Sequence, residues 1–274
     1  MLRKIMNPLR SGIRFLGEVY ERKFLIYQMS KRDFKQRYIT SLLGLFWAFF
    51  EPLAMMLIMW FVFSVGFRVA PSGSVPYVAY LFIGMVAFSF FENAVGASAG
   101  VIVSYSYLVQ KIQFRVSILP IVKVCSALIL HFVFVAIVIG IILASGVSAS
   151  LFWFQALYYL VALGFLVLGL SWLLSAVGVF LRDTSHIVAI LLRLGFWVSP
   201  IFWNIDMIPE EYQNWIKINP LFYIIQGYRE SFLYGIPFWD HPMYTVYYWG
   251  VSTLVFVVGV IVFRRLRPHF ADVL

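Results

Sequence analysis

Charge is scarce in this chain, and cysteine almost absent. Of 274 residues only 12% are charged and one, Cys125, is cysteine, while 62% are apolar and the mean hydropathy is +0.89. Soluble domains carry roughly 25% charged and 45–50% apolar residues, so an ordinary soluble domain is excluded and the surplus apolar surface must face lipid. A lone cysteine excludes an intrachain disulfide, a CxxC pair and a thiolate metal cluster. His131, His186, His241 and His269 lack ligand spacing. A GxxxxGK[ST] phosphate loop and an HExxH metal motif are missing, and the charges inside apolar runs are too few for a proton relay. Any energy for uphill movement must then come from another chain. A membrane glycosyltransferase or phosphotransferase would need clustered carboxylates, yet Glu51 and Glu92 are the only acids inside apolar runs and have no DxD-like partner.

What is present is a succession of apolar runs. At about 20 residues per span, six are expected: Leu42–Phe67, Tyr77–Ala99, Ser117–Leu143, Phe152–Leu181, His186–Trp203 and Met243–Phe263. The fourth is longer than a straight span needs and should tilt or project. The length leaves no room for a fused ATPase, and a long basic stretch before the first apolar run, which begins near Leu42, makes a cleavable signal peptide unexpected. Two regions follow: residues 1–41 as a cytoplasmic segment with an amphipathic helix, and 42–274 as the spanning domain, with an external segment 204–242.

The net charge of +9 could suggest nucleic acid, but its placement argues otherwise. Sixteen of the 21 basic residues fall on one side of the expected spans: ten before Leu42, then Lys111, Arg115, Arg182, Arg264, Arg265 and Arg267. Arg68, Lys217 and Arg229 fall on the other, and Lys123 and Arg193 lie inside spans. This positive-inside asymmetry puts both termini in the cytoplasm and removes the main support for a nucleic-acid partner.

Four features carry more than topology. Tyr20, Phe24, Tyr27, Phe34 and Tyr38 recur at helical spacing with Lys31 interrupting the stripe and Arg32 off it, which predicts an amphipathic helix along the cytoplasmic interface. It is either a basic anchor on anionic lipid or also a docking surface for a cytoplasmic partner. In the loop Val101–Val116, Tyr107, Gln110, Lys111 and Phe114 share one face of a short helix, as an interfacial turn or a partner contact. Glu51, Glu92, Lys123 and Arg193 lie about 9–15 Å from the cytoplasmic ends of their spans at 1.5 Å per residue. Left facing lipid they would be costly, so opposite-sign pairs or a path for an anionic head group are expected. Outside, Pro220–Gly235 is about 16 apolar and aromatic residues, too short to span, and reads as a half-depth re-entrant element or a helix lying flat. Gly96–Gly100 has the small-xxx-small spacing of close helix packing.

RDFKQRY followed by SLLGLFWAFFEPLAMMLIMWFVF (Ser41–Phe63), then SILP (Ser117–Pro120), LRDTSHI (Leu181–Ile187), SPIFW (Ser199–Trp203) and INPLFYIIQGYRESFL (Ile218–Leu233), resemble in order the ABC-2 type polysaccharide and polyol-phosphate export permeases, nearest the teichoic acid translocation permeases. The resemblance implies an all-α integral membrane fold of the type V exporter kind: six transmembrane helices per subunit, an interface helix at Glu18–Tyr38, and paired re-entrant helices at Pro209–Gly235 between spans five and six. It implies a homodimer bound to two copies of an ABC ATPase, which would supply ATP and magnesium, with no cofactor in this chain. It implies transport and not enzymatic activity, in the cell membrane. The cargo would be an undecaprenyl-diphosphate-linked polymer flipped to the outer leaflet, most closely teichoic acid; O-antigen or capsular polysaccharide is the alternative, and a small drug or lipid a further one.

Carried onto this sequence, the ATPase-coupling helix falls in Tyr105–Arg115, with Tyr107, Gln110, Lys111, Phe114 and Arg115. The external gate includes Pro220, Phe222, Tyr223, Tyr228, Arg229 and Glu230. A path between protomers needs aromatic walls and cations near the diphosphate. Trp47, Phe50, Tyr80, Phe88 and Phe91 are the candidate walls, with Lys35 and Arg37 at the inner mouth.

Overall fold

The computed structural model describes Gly17 and residues 19–38, 44–69, 75–109 and 114–274. The side chains of Arg37 and Tyr38, and all of Gln110 and Lys111, lie outside the described residues, as does the proposed boundary at residue 41. All regular structure among the described residues is helical. The elements are α1 (Lys23–Tyr38), α2 (Leu45–Trp60, continued by a wider turn Phe61–Gly66), α3 (Tyr77–Ala99), α4 (Val101–Ser104), α5 (Ser106–Val109), α6 (Ile118–Ala144), α7 (Gln155–Phe180), α8 (Thr184–Val198), α9 (Glu210–Lys217), α10 (Pro220–Arg229, continued by Glu230–Tyr234), α11 (Pro242–Leu266) and α12 (Phe270–Val273).

Among the described residues five helical stretches are long and apolar enough to cross a membrane: Phe46–Gly66, Tyr77–Ala99, Ile118–Ala144, Leu151–Phe180 and Pro242–Val273. They coincide with five of the six expected runs, the last continuing past Phe263 to Val273. The fifth expected run, His186–Trp203, becomes α8 with only 15 residues, about 22 Å at 1.5 Å per residue, because the chain bends at Ser199 and Pro200. Proline disfavours helix in the residue before it. That element is a shorter apolar helix, not a full-length span. Pro52 sits inside α2, where it removes one main-chain bond, a loss helices in lipid tolerate when neighbours compensate.

The core is centred on α3, which packs against α2, α6, α7, α8 and α10 and buries sixteen of its residues. The most extensive helix pair is α7 with α11. Glycine makes it possible: a Cβ on Gly169 would lie 2.6 Å from the Phe256 Cα, and one on Gly259 would collide with the Gly169 carbonyl. Packing of this kind replaces hydrophobic driving force where lipid is as apolar as the side chains. The expected Gly96–Gly100 spacing serves α8 instead, with Gly96 facing Leu192 and Gly100 facing Ser185.

Candidate functional site

Near the start of α6, α1 packs on it through Ile26, Ser30 and Asp33, all buried and spaced i, i+4, i+7. The Ser30 hydroxyl donates to the Ile26 carbonyl at 2.8 Å and approaches the Val122 carbonyl at 3.3 Å. Asp33 is ion-paired with Lys123 of α6, and the Tyr105 hydroxyl donates to Asp33 Oδ1 at 3.3 Å. Lys123 Nζ lies 5.6 Å from the centre of the Tyr105 ring. Burial, reinforced by the Asp33 carboxylate, pushes the Tyr105 phenol up to about 12. One buried pair thus ties together α1, the segment after α3 and the start of α6.

This geometry corrects one expectation and gives α1 a second, docked face. Lys123 pairs with an acid on the amphipathic helix, not with Glu51 or Glu92. The docked face of α1 is the Ile26–Ser30–Asp33 face, while Tyr20, Phe24 and Tyr27 point outward with Lys31, Arg32 and Lys35; Phe34 is half-buried against the core. Asp33 was legible as the single acid in RDFKQRY, placed on the face of Ile26 and Ser30.

The segment after α3 is broken into two short turns, α4 and α5, separated at Tyr105. Tyr107 is exposed. Phe114 is half-buried against a cluster containing Val101, Ile102 and Trp172, and Arg115 is half-buried beside it. Tyr107 and Phe114 therefore do not present one uninterrupted helical face. That cluster also contains Phe263 and Phe270, so the loop rests on the ends of α6, α7 and α11.

Glu51, Glu92 and Arg193 are exposed on α2, α3 and α8. Trp47 and Phe50 are exposed and form an aromatic group with Phe46, the rings 5.0 to 5.8 Å apart. Tyr80 and Phe88 are buried inside the protomer, which corrects their assignment as path walls. The Tyr80 hydroxyl donates to the Trp203 carbonyl at 3.2 Å and Phe88 packs 5.4 Å from Phe196, so neither ring face is available to cargo. Phe91 is half-buried against Phe88.

α10 begins with Pro220 at its first turn and Asn219 as its cap, whose side chain accepts from the Leu221 amide at 3.0 Å; Gly235, at φ 64°, ends the following turn. The expected gate residues Phe222, Tyr223, Tyr228, Arg229 and Glu230 are all buried. Tyr223 bonds the Tyr158 and Thr245 hydroxyls, each at 3.0 Å. The Tyr228 hydroxyl lies 3.1 Å from His131 Nε2, at the midpoint of α6. Arg229 Nη2 donates to the Ile201 carbonyl at 2.6 Å, and its guanidinium stacks 3.5 Å from the Tyr80 ring centre. Glu230 Oε1 is 3.1 Å from His241 Nε2. Tyr158 went unnoticed in the sequence, and His131 and His241 were read only as lacking ligand spacing, because nothing local links the three to partners 11 to 97 positions away. By contrast α9 buries none of its residues.

Among the described residues no group of three His, Cys, Asp or Glu side chains is placed to hold a metal ion. The geometry is that of a multi-pass helical membrane protein whose fixed polar features are braces and whose exposed charges sit on apolar helices. The family described as ABC-2 type transporter matches residues 25–233, and the chain belongs to it. It is 27% identical to the O-antigen export system permease protein RfbA of Klebsiella pneumoniae, covering 94% of this chain and 97% of that protein. It is 28% identical to the protein of the same name from Myxococcus xanthus, over 95% and 99%. To the polysialic acid transport protein KpsM of Escherichia coli it is 26% identical, over 82% and 85%. These relatives are named for transport or export, and as O-antigen and polysialic acid proteins rather than teichoic acid proteins.

Proposed function

We propose that this chain is the transmembrane subunit of an ATP-driven exporter that moves an undecaprenyl-diphosphate-linked polysaccharide of O-antigen or capsular type from the inner to the outer leaflet. The observation carrying this reading is similarity along nearly the full length of both chains to O-antigen export permeases. It moves the cargo away from the teichoic acid expected from motifs alone, since those motifs are compatible with either polymer.

The working unit would be two copies of this chain with two copies of an ABC ATPase that binds ATP and magnesium. Glu51, Glu92 and Arg193 are exposed on apolar helices, where contact with lipid would cost a few kcal/mol each. A second copy and a water-filled path between the two would remove that cost, with Trp47 and Phe50 as the aromatic wall and Lys35 and Arg37 at the inner mouth. α8 with the bend after it would complete a sixth crossing, both termini in the cytoplasm. A re-entrant reading of α10 is supported by Tyr228 meeting His131 halfway along α6, where its polar groups are satisfied by protein. Tyr107, with Gln110, Lys111 and Arg115, would face the ATPase.

The test is complementation. The chain is co-expressed with an ABC ATPase that co-purifies with it in cells lacking their own O-antigen exporter, and surface polysaccharide is measured by immunoblot. Restored surface O-antigen is expected. Polymer retained inside despite normal expression, with teichoic acid exported by the same pair, would overturn the cargo reading.

A further inference from the structure

α1 and α6 meet at Ile26, Ser30 and Asp33, but beside that contact they stand apart. A groove of about 900 Å3 runs between them, lined mostly by apolar atoms and within the range of about 300–1,000 Å3 typical of ligand sites. Its α6 wall is Ile121, Cys125 and Ile129. Spaced every four residues, these form one stripe about 12 Å long at 1.5 Å per residue, leading from the start of the span toward the hydrocarbon. Its α1 wall carries Lys23, Lys31 and Lys35, all exposed; Lys31 and Lys35 are about one turn apart on one side of the helix, and Lys23, about two turns before Lys31, has its ammonium 4.2 Å from the centre of the Tyr20 ring. Tyr27, between Lys23 and Lys31, adds an amphipathic ring suited to the interface.

Cations at one edge and a greasy stripe running into the membrane at the other define the chemistry of the occupant. A free anion would satisfy the lysines and leave the apolar stripe uncovered. A segment of a soluble partner could not follow the α6 wall into hydrocarbon without leaving its own main chain unsatisfied. A molecule with an anionic phosphate head and a hydrocarbon tail matches both walls, because lysines at the cytoplasmic surface attract anionic lipid and an acyl chain covers apolar side chains.

We propose that this groove is a binding site for one anionic glycerophospholipid, its phosphate against Lys31 and Lys35, with Lys23 adding to the positive edge, and an acyl chain along Ile121, Cys125 and Ile129. Bound there, the lipid bridges α1 and α6 next to the Asp33–Lys123 pair and fixes the angle at which the amphipathic helix lies. The inference does not depend on the cargo assignment, and its test does not require transport.

Cys125 is the only cysteine in the chain and lies half-buried in the groove wall, so the native protein carries its own reporter. The permease–ATPase complex is purified in detergent and treated with a maleimide. The modification rate of Cys125 is read on the permease chain by mass spectrometry with added phosphatidylglycerol, phosphatidylcholine, inorganic phosphate or undecaprenyl phosphate. Phosphatidylglycerol should slow the reaction about tenfold at ten times its Kd, since only the unoccupied fraction reacts, and phosphatidylcholine should not. The variant Lys23→Gln/Lys31→Gln/Lys35→Gln should lose that difference. Equal protection by both phospholipids would reduce the groove to a non-selective apolar surface and overturn the proposal, as would protection surviving in the triple variant. Protection by undecaprenyl phosphate alone would assign the groove to the cargo lipid, and protection by inorganic phosphate alone to a soluble anion; either overturns it. The comparison of the two phospholipids on the unaltered protein stands even if the variant fails to assemble.

Discussion

Asp33 and Lys123 are buried to side-chain exposures of 5% and 12%. Removing one partner of such a pair leaves an uncompensated charge and costs about 3–5 kcal/mol, whereas replacing both by apolar groups is often neutral. Asp33→Asn should therefore lower the melting temperature of the purified complex sharply, and adding Lys123→Met should recover most of the loss. If Asp33→Asn melts like the parent, the pair does not brace α1. Arg229 makes the corresponding brace at the other end without an acidic hydrogen-bond partner, through the Tyr80 and Ile201 carbonyls and the Tyr80 ring. Arg229→Lys keeps the charge but loses the planar fork and the stacking. With hydrogen bonds from charged groups at about 1.5–3 kcal/mol, thermal unfolding should show a loss in that range.

Among the elements, the α7–α11 pair depends on close approach. Gly259→Val would push a side chain into the Gly169 carbonyl, and overpacking of this kind costs about 1–3 kcal/mol. Thermal unfolding of the variant in detergent should show that loss, while the same change at Gly250, where a Cβ meets nothing within 4 Å, should be near neutral. The segment between α3 and α6 calls for a different choice of variant. Phe114→Ala would disturb the cluster around Trp172 as well as any partner contact, so Tyr107, exposed, is the cleaner probe. Tyr107→Ala should uncouple ATP hydrolysis from export with an unchanged melting temperature, and unchanged coupling would move the contact elsewhere in the loop.

For the whole molecule, the exposed intraspan charges decide whether one copy suffices. Arg193→Gln should reduce export about ten- to hundredfold if it contacts the diphosphate, the equivalent of roughly 1.5–3 kcal/mol for a charge-assisted bond, at normal expression and stability. Normal surface polysaccharide in that variant would place the path elsewhere. How much of this was readable beforehand differs by feature. Five of six expected spans coincide with long apolar helices because transfer into lipid adds up locally along a run of about 20 residues. The shortening of α8 was signalled only by Ser199–Pro200, inside a run whose single charge is Arg193. Tyr80 and Phe88 were misplaced because aromatic composition does not distinguish a wall from a core.

The sequence by itself determined that the chain is helical, crosses the membrane several times, carries its basic residues mostly on one side and bears an amphipathic helix before the first span. These are properties of short windows, set by hydropathy and charge. The tertiary structure alone decided which face of each helix is inside, that Lys123 meets Asp33 across 90 positions, and that α10 reaches His131 halfway along α6. The physical reason is the solvent: helices apolar on every side show no periodic contrast between lipid-facing and protein-facing residues, so their partners are fixed by shape and by the few polar groups that must find each other.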